Sequence, residues 1–255
     1  MEPWRTAITT SDEKSIFIRG YSVTSLMTQA TFTDTIYLLH QGRLPTPEER
    51  RLVDAMLVGV SDHGPAAPSA AAARIVASGN RQSFEAAIAA GVLAIGDAHG
   101  GAASLCMQLI TDALEQARRT SVSIQDTARS IAIRAKAEHT RLPGMGHRVH
   151  TQDPRTRILF DMAKEFGLAG EGIELMLALE DAVRDLIRPL PINIDGALAA
   201  VLIDLGFSAP IGRLIFIIGR VAGLTAQVME EHMREEPMRV RIPVSYDGPG
   251  PRENS

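Results

Sequence analysis

Apolar residues along the chain recur mostly at intervals of three and four, the spacing that lays one stripe along a helix. Leu52, Val53, Met56, Leu57 and Val60 follow it. Ahead of them, Thr46-Pro47-Glu48-Glu49 forms a helix start, with Thr46 as N-cap, Pro47 in the first helical position and Glu49 closing a capping box. Ala70 to Ser78 runs up to Gly79, and Phe84 to Ile95 runs up to Gly96, where glycine can take the left-handed turn that closes a helix. Asp153-Pro154 predicts a helix that stops near Gly167, and a helix from Gly172 to Ile187 ends where Arg188-Pro189 breaks it. Ile211 to Met233 carries a long apolar stripe. Strand candidates are few, the best being the short run Arg239 to Val244, and a disordered tail is expected from Asp247. The expected fold class is all-α.

Composition narrows the partners. Aromatic residues make up only 4%, and hydrophobic residues at 45% can build a substantial core in 255 residues, in one large domain or two unequal ones. With Lys+Arg 26 against Asp+Glu 30, the net charge of −4 shows no basic surplus, so neither nucleic acid nor a membrane surface is an expected partner. Cys106 stands alone, which excludes an internal disulfide and a zinc ribbon. The longest uninterrupted apolar run, Leu214 to Ile218, is cut by Gly219 and Arg220, and residues 1–15 lack a signal-peptide core. A soluble cytoplasmic protein is the expectation.

Chemistry concentrates between the helices, in three segments rich in glycine, proline, histidine and acid: Gly96–Gly101, Leu142–Asp153 and Pro189–Gly196. Gly96-Asp97-Ala98-His99-Gly100-Gly101 allows a sharp turn and close ligand approach at His99; its plain alternative is a turn that happens to contain a histidine. Leu142-Pro143-Gly144-Met145-Gly146-His147-Arg148 places two glycines, with exposed backbone amides, before a histidine that can exchange a proton near neutrality. Arg148 and Arg155 add charge suited to carboxylate or phosphate, the alternative being a solvated basic loop. In Asn193-Ile194-Asp195-Gly196, Asp195 either moves a proton from a poorly solvated position or caps a helix beginning at Gly196. Periodicity favours the cap. Neither a metal-ligand pattern nor a nucleotide-binding glycine motif is present, so no metal and no cofactor is expected and the chemistry falls to the protein's own acids and bases.

Taken in order, these segments resemble the citrate synthase superfamily, through Ala98-His99-Gly100-Gly101, Gly144-Met145-Gly146-His147-Arg148-Val149 with Asp153-Pro154-Arg155, and Asn193-Ile194-Asp195. Arg19-Gly20-Tyr21, Tyr37-Leu38-Leu39 with Leu44-Pro45-Thr46, Phe216 to Arg220, and Arg241 with Tyr246-Asp247-Gly248 extend the likeness over nearly the whole chain. Glycine after Asp195 and before Arg220 makes it most similar to citryl-CoA lyases and the matching module of ATP-citrate lyase.

The resemblance implies a large helical domain of residues 1–103 and 207–255, a smaller one of 104–206, and a site in the cleft between them. It further implies cleavage of citryl-CoA to acetyl-CoA and oxaloacetate, with His99, His147 and Asp195 catalytic. Substrate carboxylates would fall to His63, Arg155, Arg220 and Arg241, the last from a neighbouring subunit, and CoA to Gly144, Met145, Gly146 and Arg148. A true citrate synthase, a synthase or lyase for a related 2-alkyl citrate, and a non-catalytic binder of CoA esters are the alternatives. The apolar stripe from Ile211 predicts a homodimer, with a tetramer open.

Overall fold

The structure, a computed structural model, describes residues 2–146 and 151–250. It opens with a small antiparallel sheet of β1 (Thr9–Ser11), β2 (Ile16–Ile18) and β3 (Tyr21–Ser22). Arg19 (φ 49°) and Gly20 (φ 86°) make the tight turn between β2 and β3, both left-handed as a two-residue hairpin loop demands. Arg19 tolerates that backbone because its guanidinium donates twice to the carbonyl of Leu39, near the end of a later helix.

Helices follow without interruption by further strands among the described residues: α1 (Val23–Gln29), α2 (Phe32–Gln41), α3 (Pro47–Val60), α4 (Pro68–Gly79), α5 (Phe84–Leu93), α6 (Ala102–Thr120), α7 (Ile124–Glu138), α8 (Pro154–Glu165), α9 (Glu171–Leu186), α10 (Ile194–Asp204) and α11 (Ile211–Arg234). The all-α expectation holds. Thr46 caps α3 with the full capping box to Glu49, and Asp153 caps α8. The Glu49 carboxylate also receives the Tyr37 hydroxyl at 2.9 Å and the Arg43 guanidinium at 2.6 Å, joining the α2–α3 turn to the core.

Packing centres on α10, whose residues from Gly196 to Leu202 are all buried, as expected of a helix apolar on every side. It lies among α6, α8 and α9, while α11 packs against α3, α4, α5 and α6. The α4–α5–α11 layer has its own small cluster of Ala73, Ala77, Ala87, Leu224 and Val228. Alanine at these positions lets the helix backbones approach closely. Glycine does the same on α11: a Cβ at Gly219 would lie 2.6 Å from Val60 of α3, and one at Gly223 would lie 2.0 Å from the Ser61 carbonyl.

Some expectations fail here. Neither Gly79 nor Gly96 closes a helix: Gly79 lies inside α4, whose C-cap is Asn80, and α5 ends at Leu93 with Ala94 as its C-cap. Arg239 to Val244 is not a strand; it is irregular, and Ile242 and Val244 stand exposed with no neighbouring strand to pair with. α11 passes straight through Gly219 and Arg220 and spans 24 residues. By length and composition alone α11 could cross a membrane, yet it is packed against other helices of the fold and buries both Arg220 and Glu231.

Candidate active site

One cavity of about 400 Å³ collects five of the residues singled out for chemistry: His63, His99, Arg155, Asp195 and Arg220. They arrive from four helix starts and loops and from the middle of α11. Gly146 also lines it, with Ala98, Asn193 and Phe216.

His99 sits in the turn between α5 and α6, where Gly96 and His99 exchange backbone hydrogen bonds of 2.9 Å. Gly100 beside it is left-handed (φ 76°), and a Cβ there would strike the Phe216 ring at 2.4 Å. The imidazole is held by Ser69 at the start of α4: the Ser69 N–H donates to Nε2 at 3.3 Å, and Ser69 Oγ lies 2.9 Å from the same nitrogen. Arg220 Nη1 donates to Ser69 Oγ at 3.0 Å. A guanidinium can only donate, and Nε2 accepts the backbone N–H, so the hydroxyl proton points at Nε2. The ring is then neutral, with its own proton on Nδ1. Ser69 was not among the sequence candidates; it lies 30 residues from His99 in an alanine-rich stretch with no motif to mark it.

Arg220, only 2% exposed, is fixed at three points: Nε donates to the Val60 carbonyl at 2.9 Å, Nη1 to Ser69, and its guanidinium carbon lies 4.7 Å from the Phe216 ring centre. The glycine before Arg220 has a structural reason: a Cβ on Gly219 would lie 2.6 Å from the Val60 side chain and 2.8 Å from the Leu57 carbonyl, so its absence lets α3 come close enough for Val60 to accept.

Asp153 organises the opposite wall. It caps α8, chelates Arg155 through Nε at 2.9 Å and Nη2 at 2.8 Å, and accepts the Ile194 N–H at 3.1 Å. One buried carboxylate thus ties the start of α8 to the start of α10, which is the physical content of the Asp-Pro-Arg sequence. Arg155 also donates to the Gly59 carbonyl at 3.1 Å.

Asp195 is not a cap. The helix begins two residues earlier than expected, at Ile194, and Asn193 is its N-cap, accepting the N–H groups of Asp195 at 3.0 Å and Gly196 at 3.2 Å. Freed from that task, Asp195 keeps Oδ1 buried and without a hydrogen-bond partner among the described residues. Burial pushes its carboxyl up to about 6, against the pull of Arg155 and Arg220 and with help from Asp153. His63 is moved the other way, below the usual imidazole range, by burial and by the positive charge of Arg155 and Arg220.

The glycine-rich loop before His147 is more structural than its sequence suggests. Its amides are not left exposed: Gly146 N–H donates to the Pro191 carbonyl at 2.7 Å and Met145 N–H to Leu142 at 3.3 Å. A Cβ on Gly144 would lie 2.6 Å from the Gly196 Cα, so the glycine serves to seat this loop on α10. Asn193 completes the join through Nδ2 to the Gly146 carbonyl at 2.8 Å. His147 and Arg148 lie outside the described residues. Arg241 does not line the cavity; it stands exposed on the C-terminal segment.

A mostly helical frame thus brings an imidazole, a carboxyl of raised pKa and converging guanidiniums to one cavity, groups able to exchange a proton and to hold anions. The family described as "Citrate synthase, C-terminal domain" matches residues 3–51 and 45–241, and the chain belongs to the citrate synthase family. It is 29% identical over 206 residues to a citrate synthase of Heyndrickxia coagulans, covering 79% of this chain and 52% of that one, so it spans about half the length of that relative. Against the solved citryl-CoA lyase from Hydrogenobacter thermophilus it is 39% identical with a TM-score of 0.89, over 100% of this chain and 98% of that one. The ATP citrate lyase of Methanothrix soehngenii, solved with citrate and coenzyme A, shares the fold at 20% identity and TM-score 0.79, over 98% of this chain and 43% of that chain.

Proposed function

We propose that the chain is a citryl-CoA lyase, cleaving citryl-CoA to acetyl-CoA and oxaloacetate. The observation that carries this reading is the convergence of Asp195 and His99 with three cationic or imidazole side chains on one cavity. Full-length similarity to the Hydrogenobacter enzyme supports it.

In the cleavage direction, His147 takes the proton of the tertiary hydroxyl, and the electrons of the breaking carbon–carbon bond move into the thioester. His99, with its proton on Nδ1, donates to the thioester oxygen as it becomes an enolate; one such donor is worth about 2.7–4 kcal/mol. Asp195, protonated at pH values below about 6, gives its proton to the enolate carbon. His63, Arg155 and Arg220 receive the carboxylates of the oxaloacetate half, with Arg241 supplied by a neighbouring copy in a homodimer or tetramer. The loop of Gly144, Met145, Gly146 and Arg148 faces CoA through its shape and the Arg148 charge. Residues 104–206 close as a unit over 1–103 and 207–255 to expel water. The thioester is the substrate, no further cofactor takes part, and the setting is the cytoplasm.

The experiment supplies purified chain with citryl-CoA and, separately, with acetyl-CoA plus oxaloacetate, and identifies the products. Acetyl-CoA and oxaloacetate from citryl-CoA support the lyase. Release of free citrate and CoA instead makes the chain a citrate synthase, the reading that the Heyndrickxia similarity favours. CoA-ester binding with no turnover of citryl-CoA or a 2-alkyl analogue would reduce it to a binding protein.

A further inference from the structure

Glu231, near the end of α11, has no exposed surface, and two guanidiniums from distant parts of the chain meet on it. Arg74 of α4 donates through Nε at 2.8 Å; Arg239, beyond the end of α11, donates through Nε at 2.7 Å and Nη2 at 2.5 Å. Arg239 is the last anchor of the C-terminal segment, since every residue from Arg241 to Gly250 is exposed. Met238 turns the chain there in a left-handed conformation (φ 59°), and its N–H donates to the Ser78 carbonyl at 3.0 Å.

The network continues in the other direction. Arg74 Nη1 donates to Gln227 Oε1 at 2.7 Å, and the amide nitrogen of Gln227 donates to both Asp62 oxygens at 3.3 Å. Asp62 in turn accepts the Gly64 N–H at 2.9 Å, fixing the turn that holds His63 between them. Gly223, one helical turn before Gln227, is pressed under the Ser61 carbonyl and the Asp62 Cβ. A continuous polar chain therefore runs from the His63 turn, along α11, to the root of the segment that carries Arg241.

Folding alone does not call for this arrangement. A buried ion cluster is often replaced by apolar residues with no loss of stability, and the α4–α11 interface around it is otherwise built from small apolar side chains. What the cluster supplies is position.

We propose that Glu231, acting through Arg74–Gln227–Asp62 on one side and Arg239 on the other, is a positioning residue that sets His63 for the carboxylates held in its own chain's cavity and Arg241 for those held in the neighbouring copy's. The proposal rests on the reading of those two residues as carboxylate-binding groups.

The test uses the full chain with Glu231→Gln, Gln227→Ala and Arg239→Ala, each checked by thermal melting. Gln227→Ala and Arg239→Ala alter side chains that are not fully buried, so they keep the test open if Glu231→Gln folds poorly. In condensation assays each variant should raise the oxaloacetate KM by about fivefold or more, with acetyl-CoA KM and kcat within about twofold. Arg239→Lys should restore part of the loss. An unchanged oxaloacetate KM in both flanking variants overturns the proposal, as does an equal rise in both KM values. Amide exchange gives a readout independent of turnover: Glu231→Gln should speed exchange at 62–64 and at 240–246 together. A change at only one segment, or at neither, also overturns it. A wild-type chain that turns over no substrate would sink the proposed activity, leaving exchange to decide the joint positioning.

Discussion

Asp195 at the start of α10 and Glu231 near the end of α11 are both withdrawn from water, yet they differ in the supply of donors. Asp195 has a buried oxygen with no donor among the described residues, and its carboxyl is pushed up to about 6 by burial. Burial pushes Glu231 up as well, but Arg239 and Arg74 outweigh it and hold the group below the usual carboxylate range. The difference teaches that burial alone does not make an acid; burial with the hydrogen-bonding capacity left open does. One carboxyl is left able to exchange a proton, and the other is locked as a fixed charge.

Substitutions sharpen that contrast. Asp195→Asn should cut kcat by about a thousandfold, the scale of general acid–base catalysis, while the melting temperature holds or rises because a poorly solvated acid has been removed. Steady-state assays with parallel calorimetry check both halves, and a large drop in stability would show that Asp195 is structural. Glu231→Ala should do the reverse in denaturant unfolding, losing about 3 kcal/mol because two guanidiniums are left without their shared partner. A value near zero would erase the distinction.

Ser69→Ala should lower kcat by about thirtyfold with the acetyl-CoA KM little changed, since the imidazole loses the group that fixes its orientation and tautomer. Ser69→Thr, which keeps the hydroxyl, should recover part of it.

The two acids should also leave opposite marks on stability against pH. Asp195 binds its proton more tightly folded (about 6) than unfolded (3.8), so its contribution is full below pH 3.8 and lost as pH rises through 6. Glu231 binds its proton less tightly folded than unfolded, so its contribution is present above pH 4.5 and lost as pH falls through its lowered folded value. Asp195→Asn should accordingly flatten the stability curve between pH 4 and 6 by about 2 kcal/mol, and Glu231→Gln should flatten only the acid limb. Urea unfolding across pH 3–8 reads both. Smallest of all, Asn193→Ala should cost about 1 kcal/mol as a lost N-cap.

The helical frame was legible because its signals are local. Thr46-Pro47-Glu48-Glu49 contains every group that its capping box uses, and Asp153-Pro154 likewise carries its own cap. Asp195 was harder to read because Asn193 and Asp195 both precede an apolar helix and either can serve as cap. The hydrogen bonds from Asp195 and Gly196 to Asn193 decide it, and no periodicity contains them. Ser69 was silent for a different reason: its importance lies in reaching His99 and Arg220, which are 30 and 151 residues away. The short run Arg239 to Val244 read as a strand, but a strand needs a neighbour as well as suitable residues. His147, the remaining candidate acid–base group, lies outside the described residues.

The seat of Gly144 on Gly196 limits how this scaffold can be re-engineered. A library over residues 142–146 has to hold position 144 constant, because any methyl placed there drives into the backbone that presents Asp195. Diversity aimed at new thioesters belongs at Met145, where a side chain already exists, and at surfaces whose movement leaves that hydrogen-sized gap intact.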